Sequence, residues 1–449
     1  MQKFRVAVLV GTVSAALAAL SVMPASAQSS TKPTATEVGV TASEIHIAVV
    51  ADVDNALAPG LFKGAVDGVK AGAAYLNSTA GGSGIGGRKV VVDFYDSKLN
   101  PNETRNATIN ACANDLAMVG TEALFLTSVD DMVNCKDQAG QATGLPDLSS
   151  ITTGIPETCA PISFPAVGIQ IDCATVTQNP QTYYGNQGPA KWLLSQHKGG
   201  LHGPMLVSSD TKDANRGGTI GALAIQKAGI KADQGTTVTK SGSDPQSAYT
   251  SVVQQMKTDG SNYAYNSLAA NSALEIRSEA QLQGLDSTKV VWDCVSCYGN
   301  QIVPQNASTF EGEVQYISFL PFEEANTNKT LAAFLKYVKQ VGGTADQFTA
   351  YAWEATLAFA DAANATVKAN GINGITRPNL ITGIKTLTTF DAGGMAGTRS
   401  FKDGKTTNCF VELQFKNGKW VRQYPTKKGT FDCKASNACL LYTSPSPRD

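Results

Sequence analysis

The sequence has 449 residues, a formal net charge of −1 and a charged fraction of 16%. Its hydrophobic content of 42% is typical of a globular chain and excludes disorder over most of the length. The near-neutral charge gives no indication of binding to nucleic acid or to an anionic membrane, and the length indicates two domains or more.

The N-terminus has the pattern of a secretory signal peptide over residues 1–27. Lys3 and Arg5 precede an uncharged apolar run, and a small-x-small cleavage site ends at Ala27. A membrane anchor is the alternative, although the run is short for a bilayer span. No cysteine follows the run directly, so we expect no lipid anchor, and residues 28–43 are a polar linker. We therefore expect a periplasmic or secreted protein.

The next stretch predicts a strand, a helix and a second strand. Ile45 to Val50 is an apolar run typical of a strand buried on both faces. An amphipathic helix follows from Phe62 to Leu76, then a glycine-rich turn, then a strand from Lys89 to Tyr95. Strands in such a βαβ unit are normally parallel, and ligands bind at their carboxyl ends. The loop from Ala51 to Ala58 is therefore the first candidate for function.

The same alternation continues to about residue 320. Further strands are predicted at 116–119, 123–126, 145–149, 204–208, 263–266 and 289–292, and further helices at 100–115, 129–141, 191–197, 215–228, 246–258 and 273–283. Prolines between 154 and 180 indicate a first crossing between lobes. Helices then dominate at 331–341, 348–368 and 378–387, and Asn417-Gly418 between alternating strands predicts a terminal hairpin. The expected fold is α/β, with two doubly wound parallel-sheet lobes.

Nine cysteines suit an exported protein. Sequence alone does not determine connectivity, but eight of them form pairs that would each join neighbouring elements. The expected pairs are Cys112 with Cys135, Cys159 with Cys173, Cys294 with Cys297, and Cys409 with Cys433. The ninth, Cys439, lies in a segment, 435–449, that resembles translated adapter sequence, and we expect that segment to be a non-native tail outside the fold.

The Cys294-x-x-Cys297 motif raises the alternative of an exported thiol-disulfide redox protein. No second such motif and no nearby histidine accompany it, so a structural bridge is the simpler interpretation and a metal site is not expected. No Gly-x-Ser-x-Gly motif is present to indicate a hydrolase. We expect no enzymatic activity and no cofactor.

Small hydroxyl residues at the predicted carboxyl ends of first-lobe strands are candidate ligand groups. Thr127 and Ser128 precede a predicted helix, where hydroxyls and free amides suit a carboxylate or another anion. Plain helix capping by Ser128 is the alternative. Ser150, Ile151 and Thr152 follow a predicted strand in the same way.

The stretch from Ile45 to Asp96 resembles the opening of the type I periplasmic binding proteins of the branched-chain amino acid (Leu/Ile/Val) transporter group. The matching segments are IHIAVVADV, KGAVDGVKAGAAYLN, GGSGIGGRKVVVDFYDSKLNP, GPMLVSSDT and KVVWDC. The resemblance covers residues 44–433 and implies two lobes joined by three hinge crossings in a Venus-flytrap architecture. It implies no catalysis, and a monomer that delivers a captured solute to the membrane subunits of an ABC permease.

The resemblance implies how the chain divides between lobes. The N-terminal lobe would comprise 44–165 and 323–395, and the C-terminal lobe 170–320 and 398–434. In the family, hydroxyl loops of the first lobe hold the ligand's α-carboxylate, and Thr127-Ser128 and Ser150-Ile151-Thr152 are the corresponding positions here.

Other positions depart from the family. The first loop lacks the family's aromatic residue and offers Asn55, and the second-lobe tyrosines are replaced near Asn215 and Asn271. The acid that pairs with a ligand ammonium is missing, with Asp293 as a nearby substitute. We therefore expect a small polar solute: an amino acid, an amide or a similar carboxylate. A ligand-sensing lobe for a separate receptor is a further alternative.

Overall fold

The computed structural model describes residues 32–56, 59–168, 170–207, 212–233, 244–402 and 404–442. The predicted signal peptide lies outside these residues. The strands are β1 Glu44–Ala51, β2 Lys89–Asp96, β3 Ala117–Val119, β4 Asp147–Leu148, β5 Ile151–Thr152, β6 Val167–Gly168, β7 Thr182–Asn186, β8 His202–Val207, β9 Lys231–Asp233, β10 Tyr263–Ser267, β11 Val291–Cys294, β12 Val314–Ile317, β13 Val411–Lys416, β14 Lys419–Tyr424 and β15 Ala438–Tyr442. The α-helices are α1 Lys63–Asn77, α2 Pro101–Asn114, α3 Asp130–Val133, α4 Ile155–Thr158, α5 Gly188–Gln196, α6 Lys212–Ala228, α7 Thr250–Thr258, α8 Ala270–Leu282, α9 Ile302–Gln305, α10 Ala307–Phe310, α11 Lys329–Gln340, α12 Gln347–Asn370 and α13 Arg377–Ile384.

The first lobe is built on a parallel sheet with the strand order β2-β1-β3-β4. Alternate residues of β1 pack to opposite faces, as a strand's period of two requires. Ile47 and Val49 pack with α1 and α12, whereas Ala48 and Val50 pack with α2. Helices on both faces make this sheet doubly wound, as predicted.

The second lobe is built on a seven-stranded sheet with the order β14-β13-β12-β11-β10-β8-β9. The strands from β9 to β12 are parallel, and the terminal hairpin of β13 and β14 adds two antiparallel strands at one edge. Asn417 and Gly418 have φ values of 51° and 76°, which a two-residue hairpin turn of this kind requires. The predicted hairpin is therefore confirmed. Helices α5 and α6 cover one face, and α7 and α8 cover the other.

Three crossings join the lobes, as the resemblance implied. The first runs through the short parallel pair β5 and β6. The other two lie side by side, because the amide of Leu320 donates to the carbonyl of Met395 at 2.8 Å and the amide of Gly397 donates to the carbonyl of Ser318 at 2.7 Å. The limits given above for each lobe stay a prediction.

Two predicted elements differ from the structure. The helix predicted at 129–141 is the single turn α3, because the chain turns at Asp137, where its amide donates to Gln141 O, and reaches Gly140 with a φ of 79°. The strand predicted at 123–126 does not form. In this part of the described chain, a single residue, Glu122, pairs with β1, opposite Ala51, and the chain then turns.

The C-terminal tail also differs. Strand β15 pairs antiparallel with β7, and Leu441, opposite Tyr183, is buried against it. Residues 438–442 of the predicted tail therefore pair with β7, and the non-native origin of 435–449 stays a prediction. The last seven positions, 443–449, lie beyond the part of the chain that the structure describes. Cys439 carries a free thiol.

Helices α1 and α12 make the closest helix contact of the first lobe, and glycines allow it. A Cβ atom at Gly68 would lie 2.4 Å from the carbonyl oxygen of Thr349, and one at Gly64 would lie 2.6 Å from Oδ1 of Asp346. This contact brings Asp346, the N-cap of α12, beside the start of α1. Both helix starts therefore lie at the carboxyl edge of the first sheet.

Candidate functional site: the carboxyl edges of the two sheets

Asp52 organises the loops at the carboxyl edge of the first sheet. Its Oδ1 accepts hydrogen bonds from the hydroxyl of Ser97 at 2.6 Å and the amide of Leu99 at 2.8 Å, and its Oδ2 accepts from the amide of Leu124 at 2.8 Å. The side chain is fully buried, and burial raises its pKa. One carboxylate thus joins the loops that follow β1, β2 and β3.

The loop after β1 is held by Asp96 as well. The amides of Val53 and Asp54 donate to its carboxylate at 3.1 Å and 2.9 Å. Asn55, the residue that we predicted to contact the ligand from this loop, follows directly and is half-buried. Residues 57 and 58 lie outside the described residues. The structure thus places Asn55 in an anchored loop, and its contact with a ligand stays a prediction.

Glu122 is the acid at this edge that the sequence analysis missed. Its Oε2 accepts a hydrogen bond from the hydroxyl of Ser150 at 2.8 Å, and both residues are buried. Its Oε1 has no hydrogen-bond partner among the described residues. Burial, with smaller contributions from the charges of Asp346 and Asp52, raises the pKa of Glu122 well above its ordinary value. A protonated Glu122 can donate a hydrogen bond and an ionised one can accept.

A second buried acid, Asp147, is bonded to the residue that precedes Glu122. The hydroxyl of Thr121 donates to Oδ1 of Asp147 at 2.8 Å, whereas Oδ2 has no partner among the described residues. Burial raises the pKa of Asp147 to about 7. The only sequence signal for this pair of acids was their position, since each is within a few residues of the end of a short buried strand.

The predicted hydroxyl groups are arranged differently from the expectation. Thr127 and Ser128 are exposed, and the hydroxyl of Ser128 accepts from the amide of Asp130 at 3.4 Å. The helix that follows has one turn and begins with Asp130 and Asp131, whose charges disfavour an anion at that position. The N-cap of this helix is Val129, which makes no side-chain cap hydrogen bond, so Ser128 does not cap it, and the contact of Thr127 and Ser128 with a ligand stays a prediction.

The hydroxyls of Ser150 and Thr152 are used inside the protein. Ser150 donates to Glu122, as described, and Thr152 accepts from the hydroxyl of Thr158 at 2.9 Å while only 1% exposed. Ile151 pairs with Val167 in the first crossing. This segment therefore joins the carboxyl edge of the first sheet to the first crossing. The hydroxyls of Ser150 and Thr152 are bonded within the protein.

The predicted second-lobe residues lie in two settings. Asn215 is the fourth residue of α6 and Asn271 the second of α8, and both are half-buried and have partners within the protein. Asp293 is 6% exposed, and its Oδ2 accepts from the hydroxyl of Tyr263 at 2.7 Å. Burial raises the pKa of Asp293 to about 6. Its carboxyl group is therefore bonded within the second sheet, a setting that does not favour the predicted pairing with a ligand ammonium.

The loop after β11 contacts the first lobe. The amides of Cys297 and Tyr298 donate to Oε1 of Gln315 at 2.9 Å and 2.6 Å. Nε2 of Gln315 in turn donates to Oε1 of Gln347, the first residue of α12, at 2.6 Å. One glutamine thus connects the carboxyl edge of the second sheet to a helix of the first lobe.

All four predicted disulfides are present: Cys112–Cys135, Cys159–Cys173, Cys294–Cys297 and Cys409–Cys433. Cys294 and Cys297 are fully buried, so the bridge is not accessible at the surface. Together with Glu313 they form a geometric group of metal-ligand type. Because a disulfide has no thiolate to offer a metal, this group is not a metal centre.

The fold and its two facing edges are those of a two-lobed binding protein. The sequence matches the profile described as periplasmic binding protein over residues 44–419. The chain belongs to the periplasmic binding protein family, which confirms the predicted membership. This is a family of extracytoplasmic binding proteins. A search of curated proteins gives no significant match. No helix among the described residues is long and apolar enough to span a membrane.

Solved structures share the fold at low sequence identity. A leucine-binding protein from Thermotoga maritima MSB8 is 14% identical with a TM-score of 0.60, and the match covers 84% of this chain and 97% of that one. A fatty acid ABC transporter substrate-binding protein from Thermomonospora curvata is 15% identical with a TM-score of 0.63, covering 89% and 98%. A solute-binding protein of an ABC transporter from R. palustris, in complex with 4-hydroxybenzoate, is 14% identical with a TM-score of 0.57, covering 85% and 96%. These likenesses show the type I fold.

Proposed function

We propose that this protein captures a small polar solute between its lobes outside the cytoplasm and delivers it to an ABC permease. The observation that carries the proposal is the pair of parallel sheets whose carboxyl edges are joined by three crossings. Such lobes close around a ligand by a hinge motion. The secretory pattern of residues 1–27 supports a place outside the cytoplasm, and a monomeric state is part of the proposal.

The solute belongs to the class of amino acids, amides and similar carboxylates. Relatives of the same fold are described as binding leucine, fatty acids and 4-hydroxybenzoate, so the fold accommodates several carboxylates. The acids of this chain add a constraint at the first-lobe edge. Oε1 of Glu122 is buried without a partner among the described residues, and a ligand group placed against it has to form a hydrogen bond. An amide or ammonium group satisfies an ionised Glu122.

The proposal is tested by thermal unfolding and calorimetry of the mature protein against amino acids, their amides, and aliphatic and aromatic carboxylates. A true ligand raises the unfolding temperature, because it binds only the folded state, and a concentration of about 100 times Kd stabilises by about 2.7 kcal/mol. We expect one chemical class to do this and the others to fail.

Two variants make the test specific. Glu122→Gln keeps the shape and leaves an acceptor for Ser150, and we expect it to weaken binding at least about tenfold, equivalent to about 1.4 kcal/mol. Glu103→Gln, on the outer helix α2, is the matched control and should bind as the original does. A folded protein that binds no compound of the panel, and from which no solute can be extracted after purification, would contradict the proposal.

A further inference from the structure

Three side chains from neighbouring strands form a row on the α2 face of the first sheet. His46 lies on β1 and Asp93 on β2, and Asp115 lies two residues before the start of β3. Nδ1 of His46 is 2.7 Å from Oδ2 of Asp93. One ring nitrogen of His46 and one carboxylate oxygen from each aspartate all lie within 4.8 Å of one another. Three such groups within this distance could hold a metal ion.

Asp115 is the buried member of this row. Its side chain is fully buried, and its Oδ2 accepts a hydrogen bond from the hydroxyl of Tyr95 at 3.0 Å. Its Oδ1 is buried and has no hydrogen-bond partner among the described residues. The Asp115 carboxyl group also contacts that of Asp93. Two carboxyl groups in contact repel each other when both are ionised, so this geometry requires a proton or a cation between them.

The charges around the row are predominantly negative. Oε2 of Glu44 lies 3.5 Å from Nε2 of His46 and adds a third carboxylate. The nearest guanidinium, that of Arg377, donates to the backbone carbonyl of Asp115 at 2.6 Å, so it supplies no direct hydrogen bond to the carboxylate. Within the described ranges no lysine or arginine forms an ion pair with these three acids. A protonated His46 forms the ion pairs with Asp93 and Glu44, and a bound cation would take over that neutralising role.

We propose that His46, Asp93 and Asp115 bind one divalent transition-metal ion, of which Zn²⁺ is the reference. Imidazole nitrogen and carboxylate oxygen are zinc ligands at about 2.0 to 2.2 Å, and water completes a tetrahedral site. The His46 and Asp93 side chains are 28% and 35% exposed and leave a path for the ion. Tyr95 orients the buried carboxylate through its hydrogen bond, as outer partners of metal ligands do.

The proposed metal site is separate from the carboxyl edge of the first sheet. His46 is the third residue of β1, whereas the loops held by Asp52 follow the end of the same strand. A metal there would join β1, β2 and the junction of α2 with β3. It would stabilise the folded first lobe, because the three ligands come together only in the folded chain.

The test uses the full chain, treated with a chelator and titrated with ZnCl₂ by calorimetry, with unfolding temperature as a second readout. We expect one zinc ion per chain and a higher unfolding temperature with zinc. His46→Gln and Asp115→Asn should each weaken zinc binding at least about tenfold and remove the temperature rise. His202→Gln, a substitution of a histidine in the second lobe, is the matched control and should change neither readout.

Two results would overturn the proposal. One is the absence of saturable zinc binding by the folded original protein, which would leave a shared proton between Asp93 and Asp115 as the explanation of their contact. The other is zinc binding that persists unchanged in both His46→Gln and Asp115→Asn. Performing the titrations in a Cys439→Ser background excludes the free thiol as the source of the signal. Circular dichroism confirms that each variant is folded.

Discussion

Nη2 of Arg399 lies 2.8 Å from Oε2 of Glu354, with side chains that are only 1% and 0% exposed. Glu354 belongs to α12 of the first lobe, and Arg399 follows the third crossing between the lobes. Nη1 of the same guanidinium donates to the backbone carbonyl of Ala166, directly before β6 of the first crossing. One buried cation therefore connects two crossings to a first-lobe helix.

Breaking this ion pair should destabilise the protein strongly. Glu354→Gln removes the negative charge and leaves the guanidinium of Arg399 buried without its counter-charge, which typically costs about 3 to 5 kcal/mol. Urea unfolding of the variant and the original measures the difference. The matched control is Asp131→Asn, which breaks the pair with the exposed Arg105 and should change the free energy of unfolding far less. Equal losses from the two variants would contradict the structural role assigned to Arg399.

Gly68 should not tolerate alanine, because its Cβ position is occupied by α12. A Cβ there would lie 2.4 Å from Thr349 O and 2.8 Å from Cβ of Ala352. We expect Gly68→Ala to lower the free energy of unfolding by about 1 to 3 kcal/mol through overpacking. Gly217 of α6 meets nothing within 4 Å, so Gly217→Ala should be neutral or stabilise by up to about 1 kcal/mol. Denaturant unfolding of both variants decides whether the helix contact is this close.

The disulfides should be inert in the folded protein. Ellman's reagent should detect one thiol in the native chain, that of Cys439, and none in Cys439→Ser. Cys294 and Cys297 are fully buried, so a mild reductant should not expose them unless the protein unfolds. Full reduction in denaturant should then reveal all nine. Two further reactive thiols in a folded, mildly reduced sample would instead support the redox alternative.

Buried acids such as Asp147 should make the free energy of unfolding fall as the pH rises. Its pKa rises from 3.8 to about 7 in the folded chain, so the native state keeps a proton that the unfolded chain loses. The stability contributed by this group is therefore complete below pH 4 and is lost as pH rises through 7.

Asp147→Asn tests the pH effect, because an amide does not ionise. The free energy of unfolding of the original protein should be lower at pH 8 than at pH 5. In the variant we expect this difference to be smaller by roughly 2 kcal/mol, since each unit of pKa shift corresponds to about 1.4 kcal/mol. Asp54→Asn, at an exposed position, is the control and should keep the original pH dependence. A variant with the same pH slope as the original would rule out Asp147 as a source.

Much of the architecture could be predicted from the sequence. The strand at Ile45 to Val50, the α1 and α12 helices, the Asn417-Gly418 hairpin and the four disulfides all follow the predictions. Local patterns were sufficient for the strand, the helices and the hairpin, because hydrophobic period and turn chemistry act within a few residues. The helix predicted after Val129 failed, because apolar spacing alone cannot show that Asp137 and Gly140 turn the chain.

For the candidate site, the contacts of the predicted residues with a ligand stay predictions. Ser150 was predicted as a ligand group, and in the structure its hydroxyl donates to Glu122, which is 28 residues away in sequence. Asp293 was offered as a ligand acid, yet its carboxyl group bonds Tyr263, 30 residues away. Whether a polar side chain is available depends on its partner, and no local pattern specifies a partner at that distance.

The sequence by itself determined the class of this protein: two doubly wound α/β lobes within the periplasmic binding protein family. Burial periodicity and turn residues carry that information, because each acts locally along the chain. Only the tertiary structure decided which polar groups meet: Glu122 with Ser150, Arg399 with Glu354, and His46 with Asp93 and Asp115. These contacts join residues far apart in sequence, and their energies depend on the exclusion of water, which arises only when the lobes have folded.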